Sequence, residues 1–236
     1  MKPRHLFFVG LVLVTMMPLS GWADTYTGDG GWVTSSSSSY WNNPSWGPEP
    51  NVVCALFGNC AATVSYLGTS GSAPANIYFA SSGTTLQAQL LFAYAALAPV
   101  TTFGWFSFDP NTNSITGFNP LFAGVGGGTV QFTPTGYYGF YISTPGGVFL
   151  STSNLSAADA GNQHFAFFQG SNGSLYLGAE DLFLGQSDRD YNDLGIAISP
   201  VPEPASLTLM GMGLAAGAAG LRKRLRRYSS TRSDQR

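Results

Sequence analysis

The chain has 236 residues, of which 9% are charged and 14% aromatic, with 30 glycines and 14 prolines; this composition suits an all-β secreted domain and argues against a helical cytosolic one. The formal net charge of −2 hides a split, because Asp24 to Pro200 holds ten acidic residues, one arginine and no lysine, a net −9, while the other basic residues gather at the two ends. A domain so poor in cations cannot neutralise a row of phosphates, which excludes nucleic acid as a partner.

Residues 1–23 read as a signal peptide. Lys2, Arg4 and His5 form a basic start, Leu6 to Leu19 is mostly apolar, and Gly21-Trp22-Ala23 puts small residues at the cleavage positions, so cleavage is expected before Asp24. The apolar part is too short to span a membrane comfortably, which argues against an uncleaved anchor. Basic ends around an acidic middle also follow the positive-inside rule for a chain whose centre is exported.

Residues 24–74 form a Ser/Trp/Pro-rich segment, with a serine run (Ser35 to Ser39), Trp32, Trp41 and Trp46, and Pro44, Pro48 and Pro50. Irregular chain pinned by aromatic contacts is expected over Asp24 to Pro50, ahead of the main domain. Its tryptophans either stack on the sugar rings of an extracellular polysaccharide or cap one end of a core. Cys54 and Cys60 are the only cysteines, and in an exported chain they are expected to close a small disulfide loop.

From residue 75 to 200 short β-rich runs alternate with turn residues, predicting an antiparallel β-sandwich, jelly-roll-like. The expected strands are Asn76 to Ala80, Leu86 to Tyr94, Thr101 to Phe108, Thr129 to Thr133, Tyr137 to Ser143, Val148 to Ser151, His164 to Gln169, Ser174 to Leu177 and Leu194 to Ser199. Leu86 to Leu97 fits a helix as well as a strand. Tyr137 to Tyr141 and Phe165 to Phe168 are too apolar for one buried face and suit central strands.

The acidity concentrates in Glu180-Asp181 and Asp188-Arg189-Asp190-Tyr191-Asn192-Asp193. Asp188, Asp190 and Asn192 fall on alternate positions, so their side-chain oxygens can converge on a hard cation; with Asp193 they form a candidate metal set with calcium as the cofactor. The spacing is not that of an EF-hand, since position six is Asp193 and position twelve is Ser199. The competing reading is turn chemistry, in which Asp and Asn side chains bind backbone amides. No catalytic constellation emerges. His164 is the only histidine beyond the signal peptide, its apolar setting marks a core histidine, and no pair of carboxylates has a spacing that favours a polysaccharide hydrolase.

The end of the chain reads as breaker, membrane helix and stop. Val201-Pro202-Glu203-Pro204 interrupts regular structure. Ala205 to Leu221 is an apolar run of about 17 residues, just long enough to cross a ~30 Å hydrocarbon core. Arg222-Lys223-Arg224-Leu225-Arg226-Arg227 then holds the far end in the cytoplasm. A plain membrane anchor would have no use for the Pro-Glu-Pro.

This trio resembles the sorting tail of bacterial PEP-CTERM proteins. The resemblance implies a sorting signal over 201–236, with Pro202, Glu203 and Pro204 as its motif and a transmembrane helix over 205–221. It also implies an exosortase-type membrane processing enzyme as partner, and transient residence in the inner membrane before the cell surface or extracellular matrix. The stretch from about Phe103 onward, and above all Glu180-Asp181-Leu182 and Asp188 to Asp193, is similar to a secreted bacterial domain of unknown function ending in Asp-x-Asp-Tyr-Asn-Asp, which implies a β-sandwich with a calcium loop. The expectation is a non-enzymatic exported envelope or matrix protein of the biofilm type. The alternative is a calcium-dependent polysaccharide-binding or adhesion module.

Overall fold

The computed structural model describes residues 24–42, 49–69, 72–95, 97–126, 128–201 and 211–218. The expected signal peptide, Trp46, Pro202, Glu203, Pro204 and the basic tail lie outside these residues. In chain order the elements are β1 (Thr25–Tyr26), β2 (Gly31–Ser35), α1 (Val52–Phe57), β3 (Val64–Gly68), β4 (Phe79–Ala80), β5 (Leu86–Ala93), β6 (Thr102–Asp109), β7 (Ser114–Ala123), β8 (Thr129–Phe132), β9 (Tyr137–Thr144), β10 (Gly147–Leu150), β11 (Phe165–Gln169), β12 (Leu175–Ala179) and β13 (Leu194–Pro200).

Two antiparallel sheets make a sandwich. One runs β1-β4-β9-β6-β7, with β10 also paired to β9, and the other runs β2-β3-β11-β12-β13-β5-β8. The shared core is aromatic: Phe103, Tyr138 and Phe140 from the first sheet meet Phe165, Phe167, Leu177 and Ile196 from the second. Phe103 stacks on Phe140 at 5.7 Å, and Phe140 lies 6.1 Å from Phe167.

The outer faces are partly covered too, which explains strands with no polar side. In β11, Phe165 and Phe167 enter the central core, while Ala166 and Phe168 belong to a second cluster with Tyr40, Trp41, Val52, Val53, Val64, Tyr66 and Tyr191. In β9, Tyr138, Phe140 and Ile142 face inward, and Tyr141 joins Phe106, Phe108 and Leu150 in a third cluster. Strand side chains alternate between faces, so a continuous apolar run needs both faces buried. Every member of the three buried clusters lies between Tyr40 and Ile198. Among the described residues, the buried cores therefore lie within the span 24–201.

Three features differ from the sequence expectations, and one alternative is decided. Residues 24–74 are not a separate irregular segment: β2 and β3 extend the second sheet, β1 starts the first, and Trp41 is fully buried against Tyr66 and Phe168. The alternative between strand and helix from Leu86 is decided for the expected strand, Leu86–Ala93, held between β13 and β8, where pairing on both sides outweighs the helix preference of Ala and Leu. The Asn76 to Ala80 strand shrinks to Phe79–Ala80, with Asn76 in an isolated bridge to Thr152. Finally, β7 is a ten-residue strand that turn residues concealed. Its Gly117, Asn119 and Pro120 are tolerated because it ends its sheet and its register with β6 shifts twice.

Candidate functional site

β12 and β13 are antiparallel neighbours, so their connection, residues 180–193, leaves and returns at the same end of the sheet. That brings Glu180, the first residue of the connection, beside its last ones. Oxygens of Glu180, Asp188 and Asp190 lie within 4.8 Å of one another, with Glu180 and Asp190 buried and Asp188 half-buried. Two left-handed residues, Arg189 at φ 59° and Tyr191 at φ 56°, turn the chain back on itself. Such backbone costs about 1–3 kcal/mol per residue and persists only where surroundings impose it.

Those surroundings are specific. The Tyr191 ring packs edge-on to Tyr40 at 5.8 Å and its hydroxyl donates to Gln163 O at 2.7 Å. The backbone N–H of Tyr191 donates to Glu180 Oε1 at 2.6 Å, and the Ser187 hydroxyl donates to Glu180 Oε2. Asp190 accepts from the backbone N–H of Asn192 at 3.1 Å and from its Nδ2 at 2.7 Å. The same Nδ2 donates to Pro50 O at 2.7 Å, and the Val52 N–H donates to Asp190 O at 3.0 Å. The acidic loop is thereby latched to the start of α1, itself capped by Asn51, whose side chain accepts from the Cys54 N–H.

The electrostatics follow from burial. Desolvation pushes Glu180 up to about 7, aided by Asp188 and Asp181 and opposed by its two hydrogen bonds. Asp190 is also pushed up to about 7, mainly by desolvation, with Asp188, Glu180 and Glu49 adding repulsion. The sole arginine of the span turns its Nε to Leu184 O at 3.2 Å. Calcium–oxygen distances of about 2.3–2.6 Å allow two ligands of one ion to sit up to about 5 Å apart, so the three carboxylates fit one calcium.

The predicted metal set is thus divided. Asp188 and Asp190 join the cluster. The Asn192 amide bridges Asp190 and Pro50. Asp193 pairs instead with Asp181, whose N–H donates to Asp193 Oδ2 at 2.8 Å. Burial, Glu180 and Asp181 push Asp193 up to about 9, and burial raises Asp181 as well. Glu180, absent from the predicted set, completes the cluster; its place at the end of a strand paired to β13 was the missing signal.

His164 is fully buried, stacked on Phe149 at 3.9 Å, with Nδ1 at 3.1 Å from Glu180 O and Nε2 at 3.0 Å from Asp159 Oδ2. Both neighbours are acceptors, so both hydrogen bonds form only on the protonated ring, while burial pushes its pKa down. Asp159 is further held by the Leu184 N–H and by Asn162. Cys54 and Cys60 are bonded, with Cα atoms 4.1 Å apart.

At the other end, β13 stops at Pro200 and the Val201 N–H donates to Thr85 O at 2.9 Å, so the Pro-Glu-Pro begins directly at the domain edge. Residues 211–218 are helical and exposed. They fall inside the expected transmembrane helix, whose remainder lies outside the described residues, and no helix among the described residues is long and apolar enough to cross a membrane. No curated protein and no solved structure matches the chain. Residues 200–226 match the family model for the PEP-CTERM protein-sorting motif. The chain therefore carries a PEP-CTERM sorting domain, the mark of an exported protein sorted through an exosortase at the membrane.

Proposed function

We propose that this chain is a non-enzymatic protein of the bacterial envelope or extracellular matrix, cut by an exosortase-type enzyme near Pro202 to Pro204. We further propose that calcium on Glu180, Asp188 and Asp190 fixes its mature fold outside the cell. The sorting motif over residues 200–226 carries the first part. The Pro-Glu-Pro begins where the last strand ends, so removing the tail leaves in place every buried core residue among the described ones.

The carboxylate cluster supports the calcium assignment. Three crowded carboxylates, with Glu180 and Asp190 buried and pushed above the usual carboxylate range by desolvation, are an unfavourable arrangement that a hard cation converts into a favourable one. By joining Glu180 at the end of β12 to Asp190 beside α1, the ion would bind the outer cluster to the sheet it covers. The non-enzymatic reading rests on chemistry: the span has no lysine and one arginine, and His164 is sealed in the core.

The test is intact-mass spectrometry of the chain, tagged after Asp24, from a host with its exosortase and from the same host lacking it. Loss of the tail and appearance at the cell surface only in the first host is the expected result. Equal masses in both hosts, with the basic tail retained, would overturn the processing assignment.

A further inference from the structure

The two sheets end on one side with β1 and β2, and between these strands lies a cleft of about 410 Å³ lined by Tyr26, Trp32, Phe79, Gln169 and Ser174 among others. Its size is in the range of small-molecule sites, about 300–1,000 Å³. Phe79 is fully buried at its base, with Tyr26 edge-on to it at 5.9 Å. Trp32 is 38% exposed, so the indole offers an accessible surface to the cleft. Gln169 is exposed, and its carboxamide offers a donor and an acceptor together.

Asp24 also lines the cleft, but its charge is committed inward: Oδ1 accepts from the N–H and hydroxyl of Ser82, both at 2.7 Å, and Oδ2 accepts from the Tyr138 hydroxyl at 2.7 Å. The cleft thus lacks a free cation-binding or basic group among its described lining residues. The surrounding span carries ten acidic residues against one arginine, which repels anionic ligands. An indole beside a carboxamide and a hydroxyl suits a ligand with one apolar face and a rim of neutral hydroxyls.

We infer that this cleft binds a neutral saccharide unit of an extracellular polysaccharide, its ring stacked on Trp32 and its hydroxyls held by Gln169 and Ser174. The inference rests on the exported-matrix reading for the presence of such a ligand, and on the cleft alone for recognition.

The test is isothermal calorimetry and tryptophan fluorescence of the span 24–201 with cellohexaose, chitohexaose, laminarihexaose and mannohexaose, with oligogalacturonate as the anionic comparison. At least one neutral probe is expected to bind saturably, and oligogalacturonate is not. Trp32→Ala should weaken binding at least about tenfold, and Gln169→Ala should weaken it with an unchanged melting temperature. Trp32→Phe keeps an apolar ring should the alanine variant fold poorly, and it should retain partial affinity. Absence of binding to all four neutral probes, tighter binding of the anionic one, or wild-type affinity in Gln169→Ala together with either Trp32 variant would overturn the inference. Processing by the exosortase is read out separately, so failure there leaves the cleft result standing, and failure here leaves the export result standing.

Discussion

Replacing Glu180 by glutamine removes a buried charge while keeping the shape and both hydrogen bonds. The glutamine oxygen still accepts from the Tyr191 N–H, and its amide donates to Ser187 Oγ, reversing that one bond. With the site empty, burial pushes the Glu180 carboxyl up to about 7 in the fold against an ordinary value of 4.5. The folded state therefore keeps a proton that the unfolded chain has released, and stability falls as pH rises from about 4.5 to about 7, levelling above. At 1.36 kcal/mol per pH unit the full loss is about 3 kcal/mol, an upper figure because neighbouring carboxylates respond to the same field. At about 2–4 °C per kcal/mol for a domain of this size, Glu180→Gln should melt up to about 6–12 °C higher than wild type at pH 8 in chelator. Calcium should reverse the order, raising the wild type and leaving the variant nearly unmoved. Scanning calorimetry at pH 5 and pH 8, with chelator and with calcium, reads all four states. A variant less stable than wild type at pH 8 in chelator, or one stabilised by calcium as fully as wild type, would refute the reasoning.

Asp188→Asn should lower calcium affinity at least about tenfold with little change in the calcium-free melting temperature, because the side chain is half-buried; Asp193→Asn, whose partner is Asp181, should leave calcium affinity within about threefold, and calorimetric titration separates the two. Trp41→Ala empties the outer cluster beside Tyr66 and Phe168 and should cost about 3–5 kcal/mol in urea unfolding. Joint replacement of Cys54 and Cys60 by alanine should cost only about 2 kcal/mol, since the ring is short, and circular dichroism should show the sheets intact.

Much of the sandwich was legible because its core strands announce themselves. Tyr137 to Tyr141 and Phe165 to Phe168 have no polar face, and both proved to be central strands with cover on each side. The cover itself was not legible. Trp41 and α1 reach β11 across more than a hundred residues of chain, and nothing local to Trp41 records that partner. β7 was hidden for the opposite reason: its Gly117, Asn119 and Pro120 signal a turn, and only its place at the edge of a sheet permits them. At the acidic loop, alternation picked out Asp188 and Asp190. Asn192 and Asp193 lie outside the three-carboxylate cluster, Asp193 accepting from the Asp181 N–H, because the chain turns through Arg189 and Tyr191 in left-handed conformations that an extended-loop picture omits. Glu180 needed knowledge that β12 and β13 are neighbours.

Terbium luminescence tests the carboxylate cluster most directly, because the ion substitutes for calcium and emits when excited through a nearby aromatic ring, here Tyr191 between Asp190 and Asn192. Titrating the span 24–201 should give sensitised emission that saturates at one ion per chain, is displaced by calcium, and is lost in Asp188→Asn. No sensitised emission, or equal emission from that variant, would contradict a cation site at Glu180, Asp188 and Asp190.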